Sequence, residues 1–181
     1  MAPKSLAVLG HNGVGKKTIV GNLIFTCGLD LRQLQQLESG TDRKMASIVP
    51  FFDKNGIAKA FYAPSGQIIV EDTNPTPNIA FWVVDASSPD GGASSKAELE
   101  SQISAGSLKP TEKLIILLNK MDEKEWSEAI YNEMAALFQQ AVNLPSVQVK
   151  VVPIAALQGD NILEPPSGIS WTENTLMQAL E

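Results

Sequence analysis

The chain has 181 residues, with 14 lysines and arginines against 20 aspartates and glutamates for a formal net charge of −6, and 44% of it is apolar. That length fits one globular domain of common size with room for a sizeable core. The acidic balance argues against direct nucleic-acid binding or an anionic-membrane surface, both of which need clustered positive charge, and a single cysteine, Cys27, excludes an internal disulfide framework and fits a reducing, cytoplasmic compartment.

The start, Met1-Ala2-Pro3-Lys4, leads straight into the short apolar run Leu6 to Leu9 and lacks the long apolar core and cleavage site of a secretory signal. No apolar stretch approaches the roughly 20 residues that span a bilayer, so a soluble protein with no membrane partner is expected. Apolar runs of strand length recur at 5–9, 48–52, 57–62, 79–84, 114–118 and 147–152, with helical periodicity between most of them. That alternation predicts an α/β fold, a mostly parallel six-stranded sheet with helices on both faces. Only Asp53-Lys54-Asn55-Gly56 separates the second run from the third, and Asn-Gly favours a type I′ turn, which predicts one antiparallel edge hairpin there. A first helix follows Gly15. Ser95 and Glu98 form a capping-box pattern that opens another near 95–105. Trp126, Ile130, Met134, Leu137, Phe138, Ala141 and Val142 share one face of a helix at about 125–142, and a last helix runs from about Thr172 to the end. Pro75 and Pro77 interrupt residues 71–78, and a proline inside a helix costs about 3 kcal/mol, so a loop is expected. The aromatics Trp82, Trp126 and Trp171 read as core or core margin.

Gly10-His11-Asn12-Gly13-Val14-Gly15-Lys16-Lys17-Thr18 follows an apolar strand and opens a helix, the context a phosphate-binding P-loop requires. Glycines let backbone amides converge on phosphate oxygens, the helix N-terminus adds partial positive charge, and Lys16 adds a full one. His11, the sole histidine, shapes this loop rather than catalysing. The pattern ordinarily ends Gly-Lys-Ser/Thr, whose hydroxyl ligates Mg²⁺. Here that position is Lys17, and a cation cannot ligate a cation, so no protein metal ligand is expected and Mg²⁺ is in doubt. The Lys17 ammonium is expected instead to turn to the β- or γ-phosphate, worth roughly 4 kcal/mol at about 4 Å and an effective dielectric near 20 before desolvation; otherwise it faces solvent. Asn119-Lys120-Met121-Asp122 stands just after the run 114–118 and matches the guanine-recognition pattern Asn-Lys-x-Asp. A carboxylate at Asp122 accepts from guanine N1 and N2, contacts adenine does not match, at about 1.5–3 kcal/mol each.

These elements, with Asn22-Leu23-Ile24, Cys27-Gly28, Val152-Pro153-Ile154, Gly159-Asp160-Asn161 and Leu163-Glu164-Pro165, resemble the G domain of the translational GTPases, the branch of elongation factor one-alpha, release factor three and the ribosome-rescue GTPases. The resemblance spans nearly the whole chain. It implies a P-loop fold with one antiparallel strand, GTP or GDP as the ligand, a phosphate site at His11 to Thr18, and guanine contacts at Asn119, Lys120 and Asp122. It also implies that Ala155-Ala156-Leu157 meets the guanine oxygen through backbone amides. The family's strand-end pattern Asp-x-x-Gly-His is met, on this reading, by Tyr62-Ala63-Pro64-Ser65-Gly66-Gln67. Gly66 then senses the γ-phosphate, Gln67 is the candidate for orienting a water, and the metal-holding aspartate is missing. The first switch is eroded too, with Thr41 the only nearby threonine hydroxyl, and Asp85 is expected to cap a loop. The sequence stops at Glu181, where a G domain would end, so residues 1–181 are expected to form one such domain without the family's two β-barrels.

Three functions stay open to the sequence: a guanine-nucleotide-binding pseudo-GTPase serving as an interaction module, a slow GTPase using Gln67, and a G-domain fold that no longer binds nucleotide. Base recognition and P-loop glycines are kept while three metal or γ-phosphate elements are lost, so binding is expected to outlast hydrolysis. The partner expected is a guanine nucleotide, with a protein or a ribosome-associated surface as a second.

Overall fold

Residues 2–39 and 45–181 are described in a computed structural model of the protein. Six strands, β1 (Lys4–Gly10), β2 (Ala60–Ala63), β3 (Gly66–Val70), β4 (Ile79–Asp85), β5 (Lys113–Asn119) and β6 (Gln148–Pro153), form one sheet in the order β2-β3-β1-β4-β5-β6. Among the described residues only the β2–β3 strand pair of this sheet is antiparallel. Strands β4 and β5 are apolar almost throughout because both faces of a parallel sheet are covered. Ile79, Phe81 and Val83 pack with Ile115 and Leu117 on one face, under helices α1 (Lys16–Cys27) and α3 (Ile48–Lys54) and the short terminal helix α6 (Leu176–Ala179). Ala80, Trp82 and Val84 pack with Leu114, Ile116 and Leu118 on the other, under α4 (Ala93–Ala105) and α5 (Glu128–Ala141). A further helix, α2 (Leu31–Glu38), follows α1 and has no counterpart among the expected elements; Asp30 and Gln33 cap it reciprocally. The register aligns Gly10 with Val83, Asp85 with Asn119 and Leu118 with Pro153, so the parallel strands release their loops along one edge. Ligands of open α/β sheets bind in that crevice.

The α/β class, a six-stranded sheet and a single antiparallel pair are as expected, but the run 48–52 is not one of the strands, residues 66–70 are, and the hairpin is elsewhere. Residues 48–52 are helical: Ile48, Val49 and Phe52 are buried at helical spacing, and Pro50 sits in the first turn, where its missing N–H costs nothing. Asn55-Gly56 ends that helix instead of turning a hairpin, with Gly56 at φ +64°. The actual hairpin joins β2 to β3 across Pro64-Ser65. Helix α4 starts at Ala93 behind Gly92, and Asp90 rather than a Ser95–Glu98 box receives the amides of Gly92 and Ser94. Ser95 is buried and accepts from Trp82 Nε1 at 3.0 Å. The terminal helix is one turn, capped by Thr175 and Gln178. Residues 71–78 hold no helix or strand, as the two prolines require.

Candidate functional site

Strand β1 delivers Gly10 at the crevice edge with φ +142°, and a Cβ there would lie 2.4 Å from the Val83 carbonyl oxygen. Val14 is buried beneath the loop while His11, Asn12 and Gly13 are exposed. Gly15, at φ +100°, precedes the first turn of α1, where Thr18 is half-buried and Lys17 exposed. The ammonium of Lys16 donates to the Gly10 carbonyl at 2.5 Å, which folds it back over the loop.

Asn119 ends β5 and is buried. Its Nδ2 donates to the Val14 carbonyl at 2.8 Å and its Oδ1 accepts from the Ala156 amide at 2.9 Å, so one side chain ties the P-loop to residues 155–157. Asn22, in α1, adds a second tie by donating to the Ala156 carbonyl at 2.5 Å. The Ala155 amide donates to the Asp160 carbonyl, so both alanine amides are committed within the protein, contrary to the expectation that they stand open to a base. Leu157, next in the loop, is 80% exposed. Lys120 adopts φ +65° and Asp122 is half-buried in the turn that follows. The Lys120 ammonium lies 2.7 Å from Asp85 Oδ2. Asp85 caps its loop as expected, through the amide and hydroxyl of Ser87. Burial pushes its carboxyl up, but the bonds from Lys120 and Ser87 outweigh that and hold it below the ordinary value.

Gly66 and Gln67 are not brought to this crevice. They open β3, whose Ile68 lies beside Lys4, so Gln67 is level with Pro3 and seven positions before Gly10. At about 3.3 Å per residue that is roughly 23 Å from the P-loop. The strand parallel to β1 is 66–70, not 57–62, and its crevice end leads through Glu71 to Asp72. Asp72 therefore stands at the position that the match to Tyr62-Ala63 leaves without an aspartate, and the apolar triplet Ile68-Ile69-Val70 just before it is the signal in the sequence. Thr41 lies outside the described residues. Beside the first turn of α1, a cavity of about 300 Å³ is lined by Lys16, Lys17, Asp53, Lys59, Asp72 and valines. Lys59 is buried, with its ammonium 3.0 Å from Asp53 and 2.5 Å from Asp72.

This donor set does not fit Mg²⁺, which demands oxygen ligands in near-octahedral geometry. Lys17 presents an ammonium, Asp72 is already paired with Lys59, and no cluster of three metal-ligating side chains occurs among the described residues.

No protein-family model matches the sequence. Elongation factor 1-alpha of Blastocystis hominis is 26% identical over 216 residues, covering 98% of this chain and 50% of that protein. The chain spans about half the length of the curated relatives it matches. Among solved structures, sup35 complexed with GDP superposes with a TM-score of 0.68 at 21% identity, over 98% of this chain and 43% of that one. The GTPase-like domain of Saccharomyces cerevisiae Ski7, bound to GDP and inorganic phosphate, gives 0.66 at 18% identity, over 98% and 48%. With the strand order, the P-loop and the Asn-Lys-x-Asp turn assembled on one edge, the chain is homologous to the G domain of elongation factor 1-alpha and has the fold of the translational GTPases.

Proposed function

We propose that this chain binds a guanine nucleotide and uses the bound state as an interaction module for a protein or ribosome-associated partner, with GTP hydrolysis absent or very slow. The observation that carries the reading is Asn119, whose two hydrogen bonds lock the phosphate loop to residues 155–157 beside Asp122. In this reading the amides of residues 11–18 and Lys16 take the phosphates, Asp122 takes N1 and N2 of guanine, and Leu157 supplies the loop's remaining amide. The Lys120 stem lies along the ring while Asp85 holds its ammonium. Relatives of the same fold have been crystallised with GDP and with GMPPNP, which supports the ligand class. Weak or absent hydrolysis follows from the poor fit to Mg²⁺ and from the distance of Gln67, since phosphoryl transfer depends on charge neutralisation and a positioned water.

Titration with fluorescent GDP, GTP and ATP tests the reading. Guanine nucleotides are expected to bind at least tenfold more tightly than ATP, and Asp122→Ala to abolish that preference. Equal binding of ATP and GTP would sink it. Multiple-turnover phosphate release at the rate of a stimulated GTPase would overturn the hydrolysis claim.

A further inference from the structure

The cavity beside the first turn of α1 is lined by three lysines, Lys16, Lys17 and Lys59, and by two aspartates, Asp53 and Asp72, with the Lys16 ammonium on the Gly10 carbonyl. Its two walls come from opposite sides. Asp53 projects from α3 and Asp72 from the crevice end of β3, while Lys59, just before β2, is anchored by its carbonyl to the Val70 amide at 2.8 Å. A buried ammonium is stable only when paired, and here two carboxylates share it. They are more than half exposed while the lysine side chain is 9% exposed, so the cation is the fixed member and the anions sit toward water. An ammonium has three N–H donors. Asp53 and Asp72 take two, leaving one for a further acceptor in the cavity.

We propose that the Lys59 ammonium, clamped by Asp53 and Asp72, stands in place of a divalent cation: a nucleotide di- or triphosphate is received by Lys16, Lys17 and Lys59 and is bound without Mg²⁺. Three lysines against two aspartates give the lining a formal positive charge, the sign a terminal phosphate requires. A lysine serves here because its charge is a compact point on a flexible stem. The two acids fix that stem, so the charge is in place before the ligand arrives. This assignment rests on the nucleotide-binding reading above, and it moves the substitute cation from Lys17 alone, as the sequence led one to expect, to a structure in which Lys59 is the buried member.

The test measures affinity for fluorescent GDP and GTP in Mg²⁺ and in excess chelator, on the intact chain and on Lys59→Met. In the wild type the two buffers are expected to agree within about twofold. Lys59→Met is expected to lose at least tenfold in chelator and to regain most of it in Mg²⁺, because Asp53 and Asp72 are then released to accept a metal. Since that variant leaves two carboxylates facing each other, Lys59→Met/Asp72→Asn provides a variant with less repulsion. It is expected to show the same loss in chelator without the rescue. A wild-type affinity that falls tenfold on chelation overturns the built-in cation while leaving nucleotide binding intact, as does either variant binding like the wild type in chelator. Absence of binding in both buffers overturns the nucleotide reading itself, and this proposal with it.

Discussion

Asn119 has both ends of its amide committed, and each partner is a buried backbone group of a different loop. Removing the side chain leaves the Val14 carbonyl and the Ala156 amide unpaired, at about 1–3 kcal/mol each. Asn119→Ala is therefore expected to lower stability by about 2–6 kcal/mol, read as a fall in the urea midpoint with little change in slope. An unchanged midpoint would mean that the two loops are held by other means. Asp85 offers a pH-dependent counterpart. Its carboxyl is held below the ordinary range in the folded state, so the stability this brings is complete above that range and is lost as pH falls through the lower folded value. Between about pH 5 and pH 3 the wild-type urea midpoint should fall more steeply than that of Asp85→Asn; parallel curves would refute the linkage. The sequence revealed Asp85 as a loop cap because Ser87 is two residues away. Its pairing with Lys120 was invisible because only the β4–β5 register brings positions 35 residues apart together.

At the scale of elements, helix α1 shows how a contact overrides a propensity. Gly21 lies in its interior, where alanine is ordinarily better by about 1 kcal/mol. A Cβ at Gly21 would lie 1.9 Å from the Met45 carbonyl oxygen, in the turn that leads into α3. Gly21→Ala is thus expected to destabilise by about 1–3 kcal/mol, the range for forced overpacking. A gain in melting temperature would show that this turn does not pack on α1 in solution. The misplaced hairpin has the same origin. Ile48-Val49-Pro50-Phe51-Phe52 is apolar and short, and periodicity cannot distinguish a buried strand from one turn and a half of buried helix. Gln67 to Val70 is itself a strand-length run, and it is this run that pairs parallel with β1, which leaves Gln67 at the end of the sheet opposite the P-loop. Helix α5 was legible because its apolar residues fall on one face over several turns, whereas α1 is marked by the glycine loop before it and α4 by a capping pattern that it does not use.

For the molecule as a whole, the P-loop, the turn 119–122 and residues 155–157 come from separate parts of the sequence and share one edge of the sheet, so a nucleotide bound across them would tie the structure together. GDP at about a hundredfold over its Kd adds about 2.7 kcal/mol, which raises the melting temperature by roughly 5–10 °C in a chain of this length. Calorimetry with and without GDP checks this, and no shift would refute ligation of the folded state. The Gly-rich loop and the Asn-Lys-x-Asp turn were determined by sequence alone, because each is a contiguous run whose chemistry depends on neighbours one to eight residues away. So was the parallel sheet, since strands covered on both faces must be continuously apolar. The tertiary structure alone decided which strand flanks β1, that Asp72 rather than Gln67 reaches the crevice, and that Lys59 meets Asp53 and Asp72 there. The β1–β3 pairing joins distant segments, and Lys59 meets Asp53 and Asp72 only because the end of α3 and the β2–β3 hairpin fold back on it; a charge carries no mark in the sequence of the partner it will meet once the chain has closed around it.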